Sequence, residues 1–189
     1  MIKIGILGDI GSGKSHVAKN FGYPVFNADI EVGKLYKKNR KIFNELKKIL
    51  PKYVYSVPVS KTEISNAILA NKSNLKKIIK IVHPEIRKKM NVFLSKNRNK
   101  NIVILDIPLL LENKINKKND ILVFVKSKKL EILKRLKKRE NFNPKLLNKF
   151  KNIQLSLDHK EKRSQFVIKN NFTNKSVNKS IKKILKDIL

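Results

Sequence analysis

The sequence predicts an α/β domain in three layers, with a five-stranded parallel sheet between helices. A glycine-rich turn joins an apolar run at residues 2–7 to a helical pattern, and four more short apolar runs follow at 24–26, 101–106, 121–125 and 166–168. Helical patterns separate these runs, and strands that alternate with helices are typical of a parallel sheet. Two helical stretches, 30–98 and about 135–163, are long for simple crossovers and predict an inserted lobe and a lid.

The first turn carries the phosphate-binding pattern Gly-x-x-x-x-Gly-Lys-Ser at residues 8–15. Its glycines adopt backbone angles closed to other residues, so successive N–H groups point into one concavity at a helix N-terminus, where the dipole favours an anion. Lys14 adds a positive charge for the β- and γ-phosphates, and the Ser15 hydroxyl is placed to bind Mg²⁺. The residues expected to contact ATP here are Asp9, Ile10, Gly11, Ser12, Gly13, Lys14, Ser15 and His16.

The second apolar run, Pro24 to Phe26, predicts a short strand that ends in Asn27, Ala28 and Asp29. We expect this end to lie beside the end of the first strand, at the edge where parallel sheets bind ligands. Asp29 is therefore a candidate for the catalytic rim. An ordinary N-cap for a helix starting near Ile30 explains Asp29 equally well.

The helical stretch at 30–98 is predicted to be interrupted by prolines. Ser60 and Glu63 have the spacing of a capping box ahead of an apolar helical pattern. Pro84 is expected in the first turn of a further helix, because proline lacks the N–H that a helix interior needs. His83 would then be a cap or a surface residue rather than a ligand.

The clearest interior strand is 101–106, which is almost entirely apolar and ends in Asp106. In phosphate-loop enzymes a carboxylate at this place commonly holds Mg²⁺ or its water. The segment 107–112 leads away from the strand tip and ends in Glu112. Two further strands are predicted at 121–125 and 166–168, the second followed by a turn at Asn170 and Asn171.

A stretch rich in cations runs from Glu131 to Arg163, between the fourth and fifth strands. Arg135 and Arg139 are four residues apart and are predicted to share a helix face. This arrangement favours a lid that closes its arginines over the triphosphate and excludes water. The alternative is a solvated basic helical hairpin. The last segment, 176–189, has the pattern of an amphipathic helix.

The chain carries 45 Lys and Arg against 14 Asp and Glu, a net charge of +31. Such a charge is compatible with nucleic acid or an anionic membrane as a partner. The cations are spread along the whole chain, however, which indicates solvated helix faces rather than one binding patch. For this reason we expect no specific nucleic-acid partner. The chain has no cysteine, so it forms no disulfides. It also has no apolar run long enough to cross a membrane, and we expect a soluble, cytoplasmic protein.

Several motifs in order resemble the dephospho-CoA kinase family: 8–15, Asn27-Ala28-Asp29, His83-Pro84, Asp106-Ile107-Pro108-Leu109-Leu110-Leu111-Glu112, Gln154 with Lys160, and Val167-Ile168-Lys169-Asn170-Asn171. The resemblance covers residues 2 to about 171. It implies a P-loop kinase fold with an acceptor-binding helical lobe at 30–98 and a lid. It also implies that the γ-phosphoryl group of ATP is transferred to the ribose 3′-hydroxyl of dephospho-CoA, the last step of coenzyme A synthesis.

Roles for individual residues follow from the resemblance and the loop chemistry. Asp29 corresponds to the family's base, with Lys14 and Arg139 as the other catalytic residues and Arg135 as a second arginine for ATP. Ser15 and Asp106 are assigned to Mg²⁺. Asp29, His83, Pro108 and Glu112 are assigned to the acceptor.

Five positions depart from the family pattern. Asn27 replaces the first acid of an Asp-Ala-Asp motif, Asp9 stands in the loop where glycine is usual, His16 stands where threonine is common, and Gln165 and Lys169 replace acids.

The sequence also leaves other functions open: a different small-molecule or nucleoside monophosphate kinase, a nucleic-acid-binding NTPase, and a non-catalytic nucleotide binder. We expect a monomer or a weak homo-oligomer that uses ATP and Mg²⁺.

Overall fold

Five parallel strands form one sheet in the computed structural model, which describes residues 1–140 and 142–189. The strands are β1 (Ile2–Gly8), β2 (Val25–Asn27), β3 (Ile102–Asp106), β4 (Ile121–Lys126) and β5 (Phe166–Lys169). Their order is β2-β3-β1-β4-β5, which confirms the predicted sheet. The expected position of β2 beside β1 is wrong, because β3 lies between them. All five residues of β3 are buried, so this strand takes an interior place and the three-residue β2 takes the edge.

Helices cover both sides of the sheet, as predicted. The helices of the described residues, in both compact units of the chain, are α1 (Lys14–Asn20), α2 (Ala28–Lys38), α3 (Arg40–Ile49), α4 (Lys61–Ala70), α5 (Lys72–Lys96), α6 (Lys129–Lys137), α7 (Pro144–Lys151), α8 (Leu157–Lys162) and α9 (Asn174–Ile188). Alternate residues of the strands, Ile4, Ile6, Ile104 and Val123 among them, form one core with α1 and α9. Burial of these apolar faces is the main stabilisation of such a layered fold.

Contacts divide the chain into two compact units. The first holds the sheet and comprises Met1–Asn27, Asn97–Phe142 and Ile153–Leu189, and the second holds α2 to α5 and α7 and comprises Ala28–Lys96 and Asn143–Asn152. The segment predicted as a lid, about 135–163, thus contributes α7 to the second unit and α8 to the first; its residue 141 lies outside the described residues. Within the residues described, no helix is long and apolar enough to cross a membrane.

The second unit contains a long helix that the sequence predicted to be broken. Helix α5 continues through Pro84, so the expected interruption at His83 and Pro84 is wrong, and so is a capping role for His83. The buried residues on either side of the proline, including Ile78, Val82 and Ile86, lie four apart on one stripe. This continuous apolar face packs as one surface and outweighs the hydrogen bond that proline removes.

The predicted capping box at the start of α4 is confirmed. Ser60 Oγ accepts from the Glu63 backbone N–H, and the Glu63 carboxylate accepts from Ser60 N in return. Glu63 is only 3% exposed and also accepts hydrogen bonds from Tyr55 N, Ser56 N and Ser56 Oγ. Burial by itself raises the pKa of Glu63, but the hydrogen bonds from Ser60, Tyr55 and Ser56 outweigh it and lower the pKa below the usual value of a glutamate.

This lowered pKa predicts an acid-dependent loss of stability. A carboxyl group with a lower pKa when folded stabilises the fold above its unfolded pKa, and that contribution disappears as the pH falls through the folded value. We therefore expect the melting temperature to fall as the pH decreases from about 5 towards 3. Glu63→Gln should lower the melting temperature at neutral pH and make this acid dependence shallower. An unchanged pH profile in that variant would show that Glu63 does not contribute.

Helix α6 is shorter than the sequence predicted. It ends at Lys137, and turns follow in which Arg139 N donates to Leu136 O and Phe142 N donates to Arg139 O. The expectation that Arg135 and Arg139 share a helix face is therefore wrong. Lys134, Arg135 and Lys137 already crowd the last turn of α6, so extending the helix would add more like charges to one surface.

Candidate active site

The glycine-rich turn forms a loop between β1 and α1, as predicted. Gly13 is the N-cap of α1, so the first helical amides begin at Lys14. Gly8 has φ +144°, and a Cβ at this position would lie 2.6 Å from the carbonyl oxygen of Val125 in β4. A side chain at Gly8 would therefore push the loop away from the sheet. The loop presents its remaining backbone N–H groups at a helix N-terminus, which suits an anion.

Lys14 lies over this loop. Its Nζ donates to the backbone carbonyl oxygens of Gly8, at 3.2 Å, and Asp9, at 2.7 Å. These carbonyls hold the ammonium group at the loop rather than in solvent. The positive charge predicted for the β- and γ-phosphates is thus next to the backbone that would bind them.

Asp9 places a carboxylate in the loop. Its Oδ1 accepts a hydrogen bond from the Ile10 backbone N–H at 2.7 Å. This contact occupies one of the amides of the loop, and it keeps a negative charge close to the expected phosphate position. His16 is exposed on α1, where its ring nitrogen lies 3.3 Å from the side-chain nitrogen of Asn20.

Ser15, Asn27 and Asp106 come together at the carboxyl ends of the strands. The Asn27 amide donates to Asp106 Oδ2, and it also lies 3.4 Å from Ser15 Oγ. Asp106 ends β3 and is 3% exposed, while Asn27 ends β2 directly opposite it in the sheet register. The amide therefore links the two oxygen ligands that the sequence assigned to Mg²⁺. The sequence showed Asn27 only as a replacement for an acid, and it did not indicate that this residue would bridge two side chains.

The donor set of this cluster fits Mg²⁺. A hydroxyl and a carboxylate oxygen are the hard ligands that Mg²⁺ prefers, and Mg²⁺ usually takes only one or two protein ligands besides phosphate and water. Among residues 1–140 and 142–189, no group of three or more His, Cys, Asp or Glu side chains is arranged to hold a metal. Ser15 and Asp106 therefore match the one or two protein ligands that Mg²⁺ usually takes besides phosphate and water.

Asp29 and His83 belong to the second unit. Asp29 is exposed in the first turn of α2, two residues after Asn27. It is not the N-cap of a helix near Ile30, because α2 already begins at Ala28. His83 is half-buried inside α5. Chain continuity places Asp29 directly after the strand end that carries Asn27.

The two predicted lid arginines differ in their surroundings. The Arg135 guanidinium lies over the ring of Phe172, 4.4 Å from its centroid, in the turn that follows β5. Contact of a cation with an aromatic face is favourable and holds the side chain. Arg139 is exposed, two residues beyond the end of α6. Arg135 is therefore tied to the turn that follows β5.

Glu112 forms a buried ion pair with Lys160. Its Oε1 lies 2.7 Å from Lys160 Nζ, and the two side chains are 9% and 1% exposed. The same oxygen accepts from Leu155 N, and Lys160 also donates to Gln154. Pro108 lies half-buried in the loop that carries Glu112 from the end of β3. The sequence analysis placed Gln154 and Lys160 among the family motifs, but it did not predict that Lys160 is buried or that it pairs with Glu112.

Removal of the Lys160 charge is expected to destabilise the protein strongly. Lys160→Met would leave the Glu112 carboxylate buried without its partner, which typically costs about 3–5 kcal/mol. Chemical denaturation should show this loss in the free energy of unfolding. Lys162→Met changes an exposed lysine of the same helix and should have little effect. A Lys160→Met variant as stable as the wild type would contradict the assignment.

A sequence model of the dephospho-CoA kinase family matches residues 2–176. Among curated relatives, the dephospho-CoA kinase of Wolbachia pipientis wMel is 35% identical over 170 residues, which covers 87% of each chain. The dephospho-CoA kinase of Bacillus anthracis is 30% identical over 181 residues and covers 91% of this chain and 90% of its own.

Solved structures share the fold. A Thermus thermophilus protein superposes with a TM-score of 0.80 and 27% identity, covering 100% of this chain and 98% of the other. The dephospho-CoA kinase of Campylobacter jejuni superposes with a TM-score of 0.61 at 20% identity, covering 98% and 96%. The second likeness concerns the fold alone. The sequence match carries the family assignment.

Proposed function

The chain belongs to the dephospho-CoA kinase family, and from this premise we propose how its residues carry out the family's reaction. ATP donates its γ-phosphoryl group to the ribose 3′-hydroxyl of dephospho-CoA, and coenzyme A and ADP are released. The new bond joins the 3′-oxygen to phosphorus, the bond to the β,γ-bridging oxygen breaks, and the hydroxyl proton passes to a base. The observation that carries this proposal is the cluster of Lys14, Ser15, Asn27 and Asp106 at the strand ends beside the phosphate loop.

The loop binds the phosphates of ATP in this proposal. Its backbone N–H groups and the helix dipole of α1 hold the β-phosphate, and Lys14 moves from the loop carbonyls to the β- and γ-phosphates. Phosphoryl transfer requires positioning and neutralisation of charge, so this fixed set of donors supplies much of the catalysis. Arg139 and Arg135 add positive charge, with Arg135 held by Phe172.

Ser15 and Asp106 would hold Mg²⁺, and Asn27 keeps their oxygen atoms together. When bound, Mg²⁺ neutralises negative charge on the phosphates. Asn27 holds the two ligands together but carries no charge, so the site has one carboxylate fewer than the usual Asp-Ala-Asp arrangement. The protein's part is to fix the orientation of the two ligands through the hydrogen bonds from the Asn27 amide.

Asp29 is the proposed base. It follows Asn27 by two residues and is exposed, so its carboxylate is accessible to a hydroxyl of the acceptor. Accepting or orienting the 3′-hydroxyl proton is the role expected of a carboxylate in this reaction. Contact of His83, Pro108 and Glu112 with the acceptor remains a prediction, as does a monomeric or weakly associated state in the cytoplasm.

The experiment that tests the function measures ADP release by purified protein with Mg-ATP, with and without dephospho-CoA. We expect turnover that depends on the acceptor, and a product heavier than dephospho-CoA by one phosphoryl group in mass spectrometry. Nucleoside monophosphates and shikimate serve as alternative acceptors in the same assay. Faster turnover with one of these would leave the kinase fold in place but overturn the assigned substrate.

Asp9 is expected to weaken nucleotide binding. Its carboxylate lies in the loop and would repel the phosphates, so Asp9→Gly and Asp9→Asn should each bind Mg-ADP several-fold more tightly. The asparagine variant keeps an acceptor for Ile10 N and removes only the charge. Titration calorimetry at two salt concentrations measures the effect. Weaker binding in both variants would show instead that the carboxylate supports the loop.

A further inference from the structure

Two side chains from neighbouring strand ends meet at one carbonyl of the phosphate loop. Asn170, which directly follows β5, donates its side-chain amide to Ser12 O at 2.8 Å. Ser127, which directly follows β4, donates its hydroxyl to the same oxygen at 3.0 Å. Ser12 is 0% exposed and Asn170 is 3% exposed. Both acceptor positions of this buried carbonyl are therefore filled by the protein.

The amide of Asn170 is held in one orientation. Its Oδ1 accepts from the Phe172 backbone N–H at 2.8 Å, so its Nδ2 must point towards Ser12 O. Phe172 has φ +64°, a left-handed conformation that costs energy for a residue other than glycine. The turn is thus built in an unfavourable backbone state that presents the amide of Asn170 to the loop.

Gly13 makes room for this contact. A Cβ on Gly13 would lie 2.4 Å from Asn170 Nδ2, too close for any real contact. Glycine is therefore needed at position 13 for two reasons: it leaves room for Asn170, and it readily adopts the positive φ of +90°. Pattern arguments assign this glycine to phosphate binding alone, and they give Asn170 no role beyond a turn.

We infer that Asn170, assisted by Ser127, is a positioning residue for the phosphate loop. In a trans peptide the C=O and the following N–H point in opposite directions, so anchoring Ser12 C=O on Asn170 and Ser127 turns Gly13 N–H to the other side. That N–H then stays available for the phosphate at the helix N-terminus. The inference rests on the proposed function only in that the loop binds the phosphates of a nucleotide.

Asn170→Asp tests this inference with almost no change of shape. The variant keeps the acceptor for Phe172 N but replaces the donor to Ser12 O by an oxygen. We expect the dissociation constant of Mg-ADP, measured by calorimetry, to rise on the order of tenfold. The KM for dephospho-CoA should change less than twofold, because the clamp lies on the nucleotide side.

Asn171→Asp is the matched control. Asn171 is the next residue in the same turn, is exposed, and its Oδ1 accepts from Thr173 N and Thr173 Oγ1, so an aspartate preserves its contacts. This change adds the same charge without touching the loop and should leave ADP affinity within twofold. Equal weakening in both variants would assign the effect to charge and overturn the clamp.

Ser127→Ala gives an independent test in case Asn170→Asp does not fold. It removes the donor of the longer of the two hydrogen bonds and should raise the dissociation constant severalfold with little change in melting temperature. In nucleotide-free protein, the Gly13 amide resonance should shift in Ser127→Ala and in Asn170→Asp but not in Asn171→Asp. An unshifted Gly13 resonance with unchanged ADP affinity would overturn the inference. ADP binding is measured without an acceptor. These measurements therefore test the role of Asn170 even if dephospho-CoA is not the substrate.

Discussion

Lys14→Ala should lower kcat by about 10²- to 10³-fold, because it removes a preorganised charge from the transferred phosphoryl group. The ammonium group of Lys14 lies on the carbonyls of Gly8 and Asp9, so its substitution removes this charged donor from the loop. Affinity for Mg-ADP should fall less than kcat, since the backbone N–H groups remain. Steady-state kinetics and calorimetry on the same preparation separate the two effects.

Lys19→Ala is the matched control for this result. Lys19 is exposed in the last turn of α1, five residues from Lys14, and its removal lowers the net charge by the same amount. Its kcat should stay within about twofold of the wild type, as expected for a solvated surface charge. Similar losses in the two variants would assign the effect to the general positive field. Wild-type activity in Lys14→Ala would remove this lysine from the mechanism.

Asp29→Asn should lower kcat by about 10²- to 10⁴-fold while ATP affinity changes little, because a general base acts on the acceptor hydroxyl and not on the nucleotide. The substitution keeps the shape of the side chain and removes its ability to take a proton. Single-turnover measurement of coenzyme A formation reports the chemical step directly.

The control for Asp29 lies in the same helix turn. Asp29 and Glu31 both place negative charge at the N-terminus of α2, which stabilises the helix by about 0.3–1 kcal/mol each. Glu31→Gln removes the same charge from the first turn of α2, together with the ion pairs of Glu31 with Lys34 and Lys89, without touching the proposed base. It should keep most of the activity. A parallel fall in kcat and ATP affinity in Asp29→Asn would indicate a structural role instead.

Local chemistry explains which parts of the fold could be predicted. The phosphate loop at 8–15 and the capping box at Ser60 and Glu63 depend on backbone angles and hydrogen bonds within a few residues, and the structure contains both. The alternation of strands and helices likewise predicts the parallel sheet. The candidate site was predicted where a motif follows or ends a strand, as in the loop that leads from β1 to Ser15 and at Asp106, the last residue of β3.

Predictions failed where distant packing decides the outcome. Pro84 disfavours a helix interior locally, but a buried stripe on both sides of it keeps α5 continuous. The spacing of Arg135 and Arg139 suits one helix face, but α6 ends at Lys137. The order of the strands depends on how much apolar surface each strand buries. The fully buried β3 lies between β1 and β2, although it follows both of them in the sequence.

By itself the sequence determined the family, the phosphate loop and the α/β class, since each rests on residues that are close in the chain or on an ordered set of motifs. Only the tertiary structure decided which side chains meet across the chain: Asn27 with Asp106, Glu112 with Lys160, and Asn170 with Ser12, 158 residues apart. Pairs of this kind form because burial leaves a charge or carbonyl that must find a partner, and the partner comes from whichever element packs there.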